Sequence, residues 1–363
     1  MSDENVDSAG LILFTSKKIN LKDVGLPKWI PRKYPWDKSI NRINHSIGKT
    51  TDAFNYTIAC ETIEEILRDH PVNQKSFDEQ ACETALQIRD KTKDSKVYLM
   101  YSGGIDSTSA IVAMMNTWEE DLERVHILMS YRSIEEFPEM WTLINSKFSG
   151  RIHNSLVDTD QYYKDGYVVT GEHGDQIFGS DVLFKIVDVL GEAGIHMKWK
   201  DNMSRVYRRM FGMSFGSHVD DFIDRHRQGI EYSPIPIRSC YDWVWWFNFV
   251  NKWQFVKYRL FSSKSHDDAK MCYEKIINFY DTPSWQRWSL DNHHLKIKGD
   301  MTSYKYAAKK FIVNNTGFID YMNKPKVGSL QYVKSNFIPP DGIDSNLNEM
   351  DLIRCLEFVN NGE

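Results

Sequence analysis

A short apolar run at 97–100 ends in Tyr-Ser-Gly-Gly-Ile-Asp-Ser-Thr-Ser at 101–109 and passes at once into a helical pattern. A strand that turns into a helix through two glycines belongs to a parallel sheet, because the helix must carry the chain back before the next strand can start. The pattern repeats. Strands are predicted at 96–101, 125–130, 151–157 and 167–170, with helices at 107–118 and 135–148 and a further helix from 175. The implied fold is α/β, a doubly wound and mostly parallel sheet, with ligands at the carboxyl ends of its strands. The loop at 102–107 occupies such an end. Gly103 and Gly104 allow backbone N–H groups to close on an anion, and the helix that follows adds the positive end of its dipole. Ser102 and Ser107 supply hydroxyl donors. Asp106 would repel a phosphate, so a cation must stand between them, and Mg²⁺ is the usual one. The loop therefore reads as a site for ATP and Mg²⁺. It lacks the Gly-Lys-Ser/Thr ending of a Walker loop.

From about 185 onward the pattern is helical, with predicted helices at 183–190, 203–210, 219–227, 240–261, 267–279 and 303–313, and a short amphipathic one at 346–359. The expected organisation is an arm at 1–75, punctuated by Pro27, Pro31 and Pro35, an ATP-binding α/β domain at 76–185, and a helical lobe at 186–363 that completes the site. The aromatic series Tyr241, Trp243, Trp245, Trp246 and Phe247 reads as core packing. The link 158–165 is a difficulty. Eight residues reach at most about 27 Å, barely enough to cross the sheet and return. The third strand must then lie at an edge or run antiparallel, or the strand assignment at 151–157 is wrong.

A net charge of −5 gives no general field for nucleic acid or an anionic membrane. The five cysteines are scattered, with no CxxC pair, which argues against a disulfide framework and a structural zinc. With no signal peptide or spanning segment in the pattern, the expected location is cytoplasmic.

A second motif, Val-Val-Thr-Gly-Glu-His-Gly-Asp-Gln-Ile-Phe-Gly-Ser at 168–180, repeats the logic of the first. A strand ends, a glycine turn carries acids, and a helix begins. If its strand neighbours the first, Asp106 and Asp175 can share one Mg²⁺. Glu172 and Asp175 also suit a helix N-terminus for its dipole alone. His173 reads as a surface turn histidine, and His126, His293 and His294 as core or surface residues unless paired in space.

The two motifs together resemble the synthetase domain of asparagine synthetases and the related β-lactam synthetases, within the ATP pyrophosphatases that carry Ser-Gly-Gly-x-Asp-Ser. The resemblance spans roughly 80–335. Gly171, Glu172, Gly174, Asp175, Phe178 and Gly179 match the second family motif, whereas His173, Gln176 and Ser180 depart from it. Fainter matches put Arg238 in Ile-Pro-Ile-Arg and Lys326 in Lys-Pro-Lys-Val-Gly-Ser. The resemblance implies an adenine nucleotide α-hydrolase-like sheet and an ATP-dependent amide-forming ligase. A carboxylate, aspartate by default, is adenylated with loss of pyrophosphate, and ammonia or an amine then displaces AMP. By this match Ser102, Gly103, Gly104, Ser107 and Gly171 bind ATP and pyrophosphate, and Met100 and Met129 frame the adenine. Asp106 and Asp175 hold Mg²⁺. Lys326 stabilises the reacting phosphate, Glu172 takes or orients the proton of the nitrogen, and Arg238 meets a substrate carboxylate. Lys326 also fits a solvated lysine, and Arg238 an ion pair. Glutamine-dependent members open with a Cys nucleophile on a separate domain. Residue 2 here is Ser, so nitrogen is expected from ammonia, an amine or a separate glutaminase partner. The alternatives are a related enzyme adenylating a nucleobase or tRNA, against which the acidic balance and absent CxxC weigh, and a nucleotide-binding module without catalysis.

Overall fold

The computed structural model describes residues 61–324 apart from 156–159, 181, 212–215, 254–255, 257–259 and 261–265, together with three short strands nearer the N-terminus. Those strands, β1 (Asn5–Val6), β2 (Leu11–Leu13) and β3 (Tyr56–Ile58), pair antiparallel in that order. Lys326, the proline-punctuated stretch and the helix expected at 346–359 lie outside the described residues.

The described chain divides into two compact units. The sheet unit comprises 75–174, 275–281 and 302–324. Its five strands are β4 (Lys96–Met100), β5 (Val125–Met129), β6 (Ile152–Asn154), β7 (Gly166–Thr170) and β8 (Ile276–Asn278). They lie in the order β6-β5-β4-β7-β8, every pair parallel. Val97 and Leu99 on β4, Ile127 on β5 and Val168 and Val169 on β7 are completely buried, as expected of strands covered on both faces. The α-helices of this unit that precede β6 in the chain are α2 (Phe77–Lys91), α3 (Ile105–Thr117), α4 (Tyr131–Glu136) and α5 (Pro138–Phe148), while α1 (Ile63–Asp69) belongs to the other unit. Ser76 starts α2 with a capping box to Glu79. The single helix expected at 135–148 is broken, since Pro138 holds Phe137 out of helical geometry (φ −146°, ψ 78°) and opens α5.

The connection problem resolves through strand length. β6 is parallel, sits at the sheet edge, and stops at Asn154. Residues 155–165 then make the crossing, with α6 (Asp160–Asp165) at its end. Eleven residues are thus available in place of the eight the strand pattern left, for about 14 Å of sheet and the return along a short strand. Asp165 anchors the far side by accepting from Tyr98 Oη and, at 3.0 Å, from Lys96 Nζ.

The helix expected at 267–279 is also corrected. α12 (His266–Lys275) ends and Ile276-Ile-Asn enters the sheet as β8 beside β7.

The helical unit takes up 61–74, 175–274 and 282–301 among the described residues. It contains α1, α7 (Gly174–Phe178, entered from the sheet unit's last residue), α8 (Val182–Leu190), α9 (Trp199–Phe211), α10 (Gly216–Ile230), α11 (Cys240–Asn251), most of α12, and α13 (Pro283–Asp291). Its core is aromatic, as the sequence led us to expect: Tyr241, Trp243, Trp245, Trp246 and Phe247 are all buried. The Trp199 and Trp243 rings lie 4.4 Å apart. The last helix, α14 (Tyr306–Thr316), belongs to the sheet unit, where Phe311 packs on Phe77. Among the described residues no helix is long and apolar enough to cross a membrane.

Candidate active site

The first motif forms a closed loop at the end of the central strand. Tyr101 N–H donates to Leu128 O at 2.8 Å and Tyr101 O accepts from Ser133 Oγ at 2.8 Å, so β4 is tied to β5 and α4 where the loop leaves it. The Ser107 hydroxyl accepts from Ser102 N–H (3.1 Å), lies 3.0 Å from Ser102 Oγ, and donates to Gly104 O (3.1 Å). Gly103 has φ +77°, and a Cβ there would stand 2.3 Å from Ser133 O. Only glycine meets both conditions. Gly104 is the N-cap of α3 and brings no side-chain cap to the first amides of that helix. Met100 and Met129 end two neighbouring strands, Met100 half-buried and Met129 buried.

The second motif leaves β7, which is parallel to β4 and hydrogen-bonded to it, with Met100 opposite Thr170. The two glycine turns therefore meet. A Cβ on Gly171 would lie 2.7 Å from Ser107 N, and one on Gly174 would lie 2.3 Å from Asp106 Cγ. The Asp106 carboxylate is thus seated directly beneath the second turn. Its Oδ2 accepts from Lys305 Nζ at 2.5 Å, and its carbonyl accepts from Tyr280 Oη at 3.4 Å. Lys305 is 1% exposed against 21% for the Asp106 side chain.

Lys305 escaped the sequence reading, yet it carries a signal. It immediately precedes α14 in left-handed geometry (φ 60°), and a cation at a helix N-terminus opposes the dipole. A lysine held there is held by something else, here Asp106.

His173 is corrected from a surface residue to a buried one, 1% exposed with φ +71°. Asn278 Nδ2 donates to its Nδ1 at 3.2 Å, which puts the ring proton on Nε2, 4.0 Å from Asp281 Oδ1. Asn278 Oδ1 accepts from Thr170 Oγ1 at 2.7 Å, and Thr170 Oγ1 accepts from Glu172 N–H at 3.1 Å. The turn that bears Glu172 is thereby pinned to the end of β8.

His126 is paired with His153, Nδ1 to Nε2 at 2.9 Å, with burial and the neighbouring ring holding it down to about 4. His293 is half-buried, with Nε2 2.9 Å from Asp242 Oδ1. Neither gathers a third ligand: among the described residues no three His, Cys, Asp or Glu side chains converge as a metal site.

The segment leading towards Lys326 is anchored beside the first loop. Lys324 Nζ donates to Glu136 O, at the end of the helix against which Gly103 packs, and Lys309 Nζ donates to Lys324 O at 2.6 Å. Arg238 lies in the helical unit, exposed, with its N–H donating to Asp242 Oδ2 at 2.9 Å. Asp175 opens the same unit's sequence, directly after Gly174.

No protein-family model, curated protein or solved structure matches the chain. What the residues can do must be read from their chemistry. Uncapped helix amides and two serine hydroxyls suit an anion. A carboxylate beside them suits a hard cation. With few carboxylates at hand, that cation would take most of its ligands from phosphate and water, which is the habit of Mg²⁺ and not of zinc or calcium.

Proposed function

We propose that the chain is an ATP-dependent carbon–nitrogen ligase of the asparagine synthetase type, built on an adenine nucleotide α-hydrolase-like sheet. The observation that carries this reading is the seating of the second glycine turn on the Asp106 carboxylate, at the ends of two adjacent parallel strands. Neither motif alone would distinguish an ATP site from an ordinary strand-to-helix turn. Their contact supports one site that takes phosphate and cation together.

In this reading Ser102, Gly103, Gly104, Ser107 and Gly171 receive the pyrophosphate portion of ATP, and the strand ends at Met100 and Met129 frame the adenine. Asp106 and Asp175 would hold Mg²⁺, which when bound neutralises the leaving pyrophosphate. Lys305 already supplies positive charge to Asp106 and is within reach of any phosphate brought there. Lys326 would add charge at the α-phosphate. A substrate carboxylate oxygen attacks the α-phosphorus, the bond to the bridging oxygen breaks, and pyrophosphate leaves with that electron pair. The nitrogen nucleophile then attacks the acyl carbon of the adenylate, gives up a proton towards Glu172, and expels AMP. Arg238 is the candidate partner of the substrate carboxylate, aspartate first. The nitrogen comes from ammonia, an amine or a glutaminase partner, and the protein works in the cytoplasm.

Carboxylate-dependent exchange of labelled pyrophosphate into ATP tests this. Exchange with Mg²⁺ and one member of an amino-acid panel, lost in Asp106→Ala, is expected. Exchange only in the presence of tRNA would replace the reading with a nucleobase-adenylating enzyme, and ATP binding without any exchange would replace it with a binding module.

A further inference from the structure

The short helix that carries Asp175 cannot hold itself together. α7 has five residues, so it closes little of the i to i−4 ladder and leaves its carbonyls to other donors. Gly179 N–H closes one backbone bond, to Asp175 O at 2.9 Å, and side-chain donors to the turn's carbonyls come chiefly from one stripe of α11. Tyr241, Trp245 and Asn248 stand at i, i+4 and i+7, on one face of that helix. Tyr241 Oη donates to Phe178 O at 2.5 Å, and Trp245 Nε1 to Ile177 O at 3.1 Å. Asn248 Nδ2 donates to Asp175 O at 2.7 Å and also to Gly179 O. Ser289 of α13 adds a bond to Ile177 O at 2.8 Å, and Gln176 Nε2 returns one to Asn248 Oδ1 at 3.3 Å.

Core packing accounts for part of this pattern. A buried tyrosine or tryptophan needs a partner for its polar atom wherever it lies. It does not account for Asn248, which is 1% exposed in the middle of an aromatic helix. An asparagine there costs helix propensity and desolvation and gives back no apolar area. Its return is a single amide that bridges the carbonyls of Asp175, shared there with Gly179 N–H, and of Gly179.

We propose that the Tyr241–Trp245–Asn248 stripe is a positioning device, which fixes the backbone of the acidic turn so that Asp175 is held ready for a divalent cation. The stripe does not touch substrate. Its role rests on the reading of the chain as an Mg²⁺-ATP enzyme, and it extends that reading to residues no motif contains.

The test uses the full chain with Asn248→Leu, of similar size, and Tyr241→Phe as the milder second variant. Two quantities are read: amide hydrogen exchange in 174–179, and the Mg²⁺ concentration giving half-maximal ATP binding by calorimetry. For Asn248→Leu we expect exchange at least ten-fold faster and the Mg²⁺ midpoint raised at least five-fold, with ATP affinity recovered at saturating Mg²⁺. Tyr241→Phe should shift both in the same direction by less, and it decides the matter if Asn248→Leu does not fold. Unchanged exchange, or faster exchange with an unmoved Mg²⁺ midpoint, overturns the positioning role while the wild type still binds Mg²⁺-ATP. A wild type that binds no Mg²⁺-ATP instead brings down the functional reading, and this proposal with it.

Discussion

Asp106 and Lys305 are the two residues on which the site turns. Lys305 is 1% exposed, and its ammonium meets the Asp106 carboxylate at 2.5 Å. Removing Lys305 takes that ammonium from the Asp106 carboxylate. Lys305→Met should therefore cost about 3 kcal/mol, the low end for breaking a buried pair because Asp106 is partly exposed. Adding Asp106→Asn should recover part of that loss. Urea unfolding of the two single variants and the double variant measures the coupling. Additive losses would show that the contact is incidental. Sequence alone offered Lys326 for the phosphate side and passed over Lys305, because nothing in a linear pattern joins residue 305 to residue 106.

At the scale of elements, the strands with apolar runs and glycine exits were readable, and so was the contact between the two motifs. β4, β5 and β7 lie where their patterns put them, give or take a residue at their ends. β8 was missed because Ile276-Ile-Asn is too short to show an alternation, and α12 runs directly into it with no glycine or proline between them. That omission had a price for the site. Without β8 there is no Asn278, and without Asn278 nothing in the sequence distinguishes a buried His173 from a solvated one. Asn278 is the joint between β7, β8 and the second turn, with its oxygen on Thr170 and its amide on His173. Asn278→Leu should destabilise the protein by about 2 kcal/mol, since the Thr170 hydroxyl loses its acceptor and His173 Nδ1 its donor. Combined with Thr170→Val, which removes that hydroxyl, the loss should be smaller than the sum. Equal melting temperatures for wild type and Asn278→Leu would mean that the joint carries no load.

Across the described residues, the first response to acid should be set by histidines held low in the fold, His226 and His293 in the helical unit and His126 in the sheet unit, before the carboxylates act. His226 is buried between the rings of Trp243 and Phe247, at 4.3 and 4.5 Å, and burial holds it down to about 3. His293 is held down to about 4 by burial and by the Lys296 ammonium beside it, although Asp242 pulls the other way. Burial would raise Asp242 itself, but its bonds from His293 and from the N–H groups of Ser239 and Arg238 outweigh that and keep it low. All three histidines are neutral in the folded chain and titrate near 6.5 in the unfolded one. Above pH 6.5 neither state takes up a proton there and stability is complete. As the pH falls below 6.5 the unfolded chain binds protons first, so each histidine removes up to about 1.4 kcal/mol per pH unit until its folded value is reached. Native carboxylates held low in the fold would act only below about pH 4. The melting temperature should therefore start to drop between pH 6.5 and 5, and His226→Gln, which keeps a donor for Trp243 O, should flatten that drop while leaving the decline below pH 4 in place. Parallel curves for the two proteins from pH 7 to 4.5 would mean that His226 is protonated as easily in the folded chain as in the unfolded one, and that the ring pair around it is open to water.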